Sequence, residues 1–190
     1  YQNMSNKTLL ANGFESRNDQ YQQLGVRWAF TKNISFIPNV KTGVRSIASD
    51  FLTGRNFRIE YIQLKPNLTW QPDYNRRLSI LSSYTQRKNT MGTEVSTVSE
   101  IGLESQLNTS QQGTFQMTFS YLNIVFNSES NSSLGFEMLE GLSAGNNFTW
   151  GINLQRNLTK NLQINFVYNG RKPGDFRVVH SGGVQARAIF

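Results

Sequence analysis

The sequence predicts an antiparallel all-β fold, and three observations carry that prediction. The first is strict alternation in the last thirty residues. Leu162, Ile164, Phe166 and Tyr168 share one parity, with Gln163, Asn165 and Asn169 on the other. After a polar stretch from Arg171 to Ser181, Val184, Ala186, Ala188 and Phe190 alternate with Gln185 and Arg187. A period of two marks a strand with two unlike faces. The second observation is the rhythm of the connections. Those around 31–33, 71–75, 109–113 and 159–161 are short, whereas 42–56, 87–95, 127–146 and 171–181 are long, in strict alternation along the chain. Short turns on one rim and long loops on the other are the rule for transmembrane β-barrels of the outer-membrane type. A Greek-key β-sandwich has no reason to keep that rhythm. The third is the position of the aromatics: Trp28 and Phe30 precede one short turn and Trp70 another, as an interfacial girdle requires.

Taken in order, residues 1–19 are weakly patterned. A short strand is expected over Thr8 to Phe14, and a polar loop over Glu15 to Gln20. Leu24, Val26, Trp28 and Phe30 then oppose Gln23, Gly25, Arg27 and Ala29, and Thr31-Lys32-Asn33 makes a tight turn. Phe36, Pro38 and Val40 resume the apolar parity. Pro38 has no amide donor and predicts a break in pairing or a bulge. Residues 42–56 read as a longer connection. A strand over about 57–70 begins with Phe57, Ile59 and Tyr61 apolar, then switches to Ile62, Leu64, Pro66, Leu68 and Trp70. Such a switch predicts a bulge, or a strand that protrudes beyond the membrane and exchanges its faces there. Leu78, Ile80 and Tyr84 oppose Arg77, Ser79 and Ser83; Ile101, Leu103 and Leu107 oppose Glu100, Gly102, Glu104 and Gln106. Phe115, Met117, Phe119 and Tyr121 slip phase at Tyr121-Leu122. Residues 134–146 are less regular and read as a structured loop. Phe148, Trp150, Ile152 and Leu154 form the strand before the closing hairpin. The sum is nine clear strands with a tenth near the N-terminus, in one domain or barrel segment over 1–190.

The totals leave this reading open and close others. In 190 residues, 37% apolar and 16% charged, no run approaches the length of a membrane helix. A mean hydropathy of −0.46 is no obstacle, because barrel strands present their lipid-facing residues only in alternation. The same totals suit a soluble secreted β-sandwich used for binding, which is the competing fold. The absence of cysteine removes disulfides and thiolate metal sites. The net charge of +7 is scattered along the chain, without a basic helix or cluster. That pattern argues against nucleic acid and suits the anionic headgroups of outer-membrane lipid and lipopolysaccharide.

Chemistry is sparse. The single histidine, His180, sits beside Ser181 in the proposed last loop, and adjacent residues of an extended segment point to opposite faces. They cannot form a nucleophile–base pair. Glu100 and Glu104 share the polar face with Gln106. Paired carboxylates can act as an acid/base couple, yet on a barrel interior they serve better as partners of Arg27, Arg77 or Arg187 in a lumen-filling network. The lumen-lining candidates are therefore Arg27, Arg77, Glu100, Glu104, Gln185 and Arg187, and the girdle and terminal-strand candidates are Trp28, Phe30, Trp70 and Phe190. Several Asn-x-Ser/Thr triplets occur, such as those at Asn67, Asn147 and Asn157, and an Asn-, Ser- and Thr-rich chain produces them by chance. No cofactor is expected, and no catalytic or metal-binding constellation stands out.

The run Glu137-Met138-Leu139-Glu140-Gly141-Leu142, followed by Gly145-Asn146-Asn147 and Trp150, resembles the C-terminal region of large outer-membrane β-barrel proteins of Bacteroidota. So do Asn161-Leu162-Gln163, Tyr168-Asn169-Gly170-Arg171, His180-Ser181-Gly182 and the ending Gln185 to Phe190. The resemblance is clearest over 134–190 and fainter over 57–90. It implies no catalytic residues. It implies a last strand recognised by the barrel-assembly machinery and a chain that is the C-terminal part of a larger barrel. The expected function is non-enzymatic: a porin-like wall, pore or docking platform in the bacterial outer membrane, serving transport, secretion, surface lipoproteins or other subunits of a membrane complex. The alternative is an outer-membrane enzyme whose site is built from loop or lumen residues such as His180 and Glu104.

Overall fold

The computed structural model describes residues 2–10, 13–51, 53–109, 113–129, 132–159 and 161–188. Its strands are β1 (Gln2–Leu10), β2 (Gly13–Gly25), β3 (Trp28–Ala29), β4 (Ile34–Ser49), β5 (Phe57–Asp73) and β6 (Arg76–Asn89), followed by β7 (Val95–Thr109), β8 (Gly113–Phe126), β9 (Gly145–Thr159), β10 (Leu162–Pro173) and β11 (Val179–Ala188). One short helix, α1 (Ser133–Leu139), lies in the longest connection. Every pairing is antiparallel between sequence neighbours, with β3 continuing β2. The fold is thus all-β, as expected, and a single up-and-down sheet rather than two packed ones. Among the described residues β1 and β11 do not pair, so the sheet is open.

A single layer leaves both faces uncovered. The accessible surface is 12842 Å², against roughly 9,200 Å² for a compact monomer of 21.6 kDa. The buried apolar residues are correspondingly few, and they gather at one end. Phe57 and Ile59 pack on Met138; Val98, Leu122 and Ile124 pack on Leu139. All lie where α1 folds over one face of the sheet, next to the longer connections.

Several expectations are corrected. Glu15 to Gln20 is not a loop. It forms the middle of β2, paired to β1 on one side and β4 on the other. Thr8 to Phe14 is accordingly not one strand but the end of β1 and the start of β2. Residues 42–49 belong to β4, which shortens that connection to 50–56. The loops expected at 87–95 and 171–181 shrink to 90–94 and 174–178, because paired strands rise beyond the apolar stretch. On the loop rim β1 also ends at Leu10 directly opposite Gly13, where β2 begins, and this close succession breaks the strict rhythm.

Pro38 does interrupt the ladder. β2 stops at Gly25 and β3 resumes at Trp28 in the same register, with Val26 N donating to Pro38 O at 3.2 Å. The missing proline N–H is the physical cause. The switch at Tyr61-Ile62 is no bulge, since β4 and β5 stay in register from Ile34 opposite Trp70 to Ile47 opposite Phe57. The sheet is regular there, and only the apolar face changes side.

Candidate functional site

The two faces differ, and the difference reverses with height. Toward the turn rim, the face away from α1 carries the exposed apolar residues. They include Ile62, Leu64 and Leu68 on β5, Ile101 and Leu103 on β7, and Met117 and Phe119 on β8. This apolar band runs about seven to nine residues along each strand, roughly 20–27 Å. From Leu24 to Phe30 on β2 and β3 through to Gly182 to Ala188 on β11, that face carries two charges at the height of the band, Arg76 opposite Leu107 and Arg156 opposite Ile164. The other charged strand residues at this height have the opposite parity.

Aromatic rows bound the band. At the turn rim Trp28 stacks on Phe30 with ring centroids 5.3 Å apart, Phe30 lies 6.4 Å from Phe36, and Trp70 is half-exposed. At the loop side Phe148 packs beside Tyr121, and Trp150 beside His180. The Trp150 indole lies flat across Gly170, where an added Cβ would come within 2.1 Å of the ring. His180 Nδ1 and the Tyr168 hydroxyl are 2.8 Å apart. His180 is therefore in β11 and not in a loop. It stands on the face opposite Glu104, so the two residues of the enzyme alternative do not meet. Phe190 lies outside the described residues.

On the helix-bearing face, the polar residues behave unevenly. Arg77 pairs with Glu104 across β6 and β7. Glu100 is half-buried and lines a hollow of about 490 Å³ with Gln23, Asn39, Lys41, Gln63 and Asn67. Glu100 and Glu104 are four residues apart on one strand, about 13 Å, too far to share a proton. Arg27 lies at the turn rim in a groove with Asn33 and Asp73. Gln185 and Arg187 are exposed on the edge strand β11. The expected network thus reduces to Arg77–Glu104, and neither Arg27 nor Arg187 reaches the two carboxylates.

The denser network lies higher, beneath α1, and its arginines fall in stretches that carry no strand signal. Ser132 caps the helix, its hydroxyl accepting from Gly135 N at 2.9 Å, and Glu140 and Gly141 end it with positive φ. The helix then presents Met138 and Leu139 to the sheet and Glu137 and Glu140 to its arginines. Arg45 donates to Glu137 (2.8 Å) and to Asp19 (3.1 Å). Arg87, buried, pairs with Glu140 and donates to Met138 O at 3.0 Å; the Ser96 hydroxyl reaches the same carbonyl. Tyr61 donates to Asp19 at 3.2 Å, and Lys41 Nζ sits 3.6 Å from the centre of the Tyr21 ring. Gly43 faces both tyrosines in register, and a Cβ there would meet the Tyr61 hydroxyl at 2.8 Å. In the loop 90–94, the Asn89 side-chain amide donates to Glu94 at 2.9 Å and holds that carboxyl below its ordinary value. Asn147 is fully buried, its amide bonded to Ser143 O and Gly145 O, so its role is to shape the loop after α1.

Among the described residues, no group of histidines and carboxylates could hold a metal ion. Among the same residues no helix is long and apolar enough to cross a membrane, which says nothing of strands. Comparison of the chain with protein-family models, curated proteins and solved structures finds no match.

Proposed function

We propose that the chain is the wall of a non-enzymatic outer-membrane β-barrel, its apolar face against lipid and its polar face toward a lumen that α1 covers at the loop end. The observation that carries this reading is the exposed apolar band between two aromatic rows, interrupted on its face only by Arg76 and Arg156 among the described residues. An exposed apolar surface of that extent marks a partner surface, and strands can enter hydrocarbon only as part of a barrel. The band's short span suits the bacterial outer membrane, which is thinner than average. Just above it on the same face stand Arg58, Lys88 and Lys172, all exposed. They are placed for the phosphates of lipid headgroups or lipopolysaccharide. The resemblance of 134–190 to Bacteroidota barrels adds the barrel-assembly machinery and other outer-membrane subunits as partners.

The test is reconstitution. The protein should float with lipid vesicles, resist carbonate extraction and need detergent to stay monomeric. A chain that remains folded and monomeric in buffer alone would overturn the reading. With α1 seated, planar bilayers should record no steady conductance.

A further inference from the structure

Charges on the polar face are paired at most heights and unpaired at one. Glu15, Asp19 and Glu104 on the sheet each meet an arginine, as do Glu137 and Glu140 on or just after α1. Glu100 is half-buried and, among the described residues, has no ion-pair or hydrogen-bond partner. Lys65 has none either, whereas Lys41, one step higher, lies against the Tyr21 ring. Both unpaired charges line the hollow of about 490 Å³. They belong to one row across the middle of the sheet. Asn39 faces Lys65 across β4 and β5, and Ser83 faces Glu100 across β6 and β7. Leu64 opposite Tyr84 and Asn67 opposite Leu81 put Ser83 beside Lys65. The Ser83 side chain, on a residue only 8% exposed, also lacks a hydrogen-bond partner among the described residues. Buried polar groups are nearly always bonded, so such a row calls for an occupant. Its strands β4 to β7 each have both ladder neighbours in place.

We propose that the hollow binds a short zwitterionic peptide, Lys65 taking its terminal carboxylate and Glu100 its terminal ammonium. The proposal gives the lumen face a ligand and rests on that reading of the face. Neighbouring strands lie about 4.8 Å apart, so β5 and β7 hold the two charges roughly 10 Å apart. With a contact of about 2.8 Å left at each end, the ligand's own charges stand roughly 4–7 Å apart. Two residues of extended chain span about that distance, and one does not. The walls suit peptide groups as well. Gln23 and Asn39 have no partner among the described residues, and Gln63 uses its amide N–H on Thr85, which leaves its carbonyl oxygen for the ligand. Carboxamides supply both donors and acceptors, as a peptide bond requires. Ile37 and Leu81, on either side of Asn67, give small side chains an apolar floor. A neutral sugar would leave both charges unpaired, and a simple anion would leave Glu100 so.

The test is a calorimetric titration of the full-length protein, in detergent, with L-alanyl-L-alanine. Saturable binding is expected. L-alanine, which is too short, and N-acetyl-alanyl-alanine amide, which carries neither charge, should each bind at least about tenfold more weakly. Lys65→Gln and Glu100→Gln should each weaken dialanine by about tenfold, the loss of one charge-assisted contact. The double variant Lys65→Glu with Glu100→Lys should recover binding, because the peptide can lie either way round. That recovery separates a ligand contact from a merely structural charge. No dialanine binding, unchanged binding in the single variants, or no recovery in the double variant overturns the proposal. So does binding of maltose or of the blocked peptide as tightly as dialanine. Inorganic phosphate that binds through Lys65 and gains affinity in Glu100→Gln would mean a plain anion site, and overturns it too. A protein that does not enter lipid vesicles overturns the membrane reading and this inference with it; one that enters them but fails the titration overturns this inference alone.

Discussion

The turn-side and loop-side parts of this sheet are made from the same strands in unbroken register, yet they are inverted. On β5, Ile62 to Trp70 place their apolar residues on the face away from α1, whereas Phe57 and Ile59 place theirs beneath it. On β8 the change falls between Tyr121 and Leu122. Because a strand alternates sides at every residue, two adjacent apolar residues suffice to exchange the faces without a bulge. The comparison teaches that the character of each face changes along the strand. In the lower part the outer face is apolar and exposed; in the upper part the inner face meets α1, and the outer face turns polar with Arg58, Glu60, Gln86 and Lys88.

This contrast can be broken from either end. The largest effect is expected at Met138, which has no exposed surface. Met138→Ala removes the plug of the upper core and should cost about 2–5 kcal/mol of loop docking. Hydrogen exchange and proteolysis of 127–144 should rise sharply, while vesicle insertion stays intact. In the lower part, Phe166→Asp puts a charge on the apolar outer face, between Leu154 and Val184, and Gln163→Asp puts one on the other. Arg or Lys at the midplane of such a face costs about 2–4 kcal/mol, and acids somewhat less. Insertion yield should fall for the first and hold for the second; equal losses would sink the assignment of faces.

Smaller changes sharpen the picture. Glu137→Gln removes one carboxylate from Arg45 but leaves Asp19. The pair is partly exposed, so about 1 kcal/mol or less is expected, read as a modest rise in loop exchange without loss of the fold. The least effect belongs to Asn89→Ala. It frees Glu94, whose carboxyl should return upward to its ordinary value in an NMR titration. The sign follows from linkage: a depressed carboxyl stabilises above its unfolded value, and the contribution is lost as pH falls through the folded one. Acid should therefore loosen the 90–94 loop of the parent protein more than that of the variant.

What pattern alone revealed was the lower part. The parity of every strand from Leu24 to Ala188 agrees with the observed faces, because in that part the apolar residues keep to one side and the period of two runs uninterrupted. Residues 15–20 and 42–49 were illegible for the complementary reason. Their side chains are polar on both faces or change phase, as from Val40 to Ile47, so no period survives. They are strands because the ladder to their neighbours continues and because Asp19 and Arg45 are held in a network closed by Glu137. Glu137 is ninety-two residues from Arg45 in the chain, and no local rule connects them. His180 was misplaced because a polar, glycine-flanked stretch looks like a loop until Gly170 and Tyr168 are seen to pair alongside it.

By itself, then, the sequence determined the strands of the band, their two faces, the short turns and the aromatics that border the band, all of which depend on residues near one another in the chain. The tertiary structure alone decided how far those strands rise above the band and which arginines α1 uses to seat itself. Those features depend on register and on contacts between distant segments, and the period-two pattern carries no record of either.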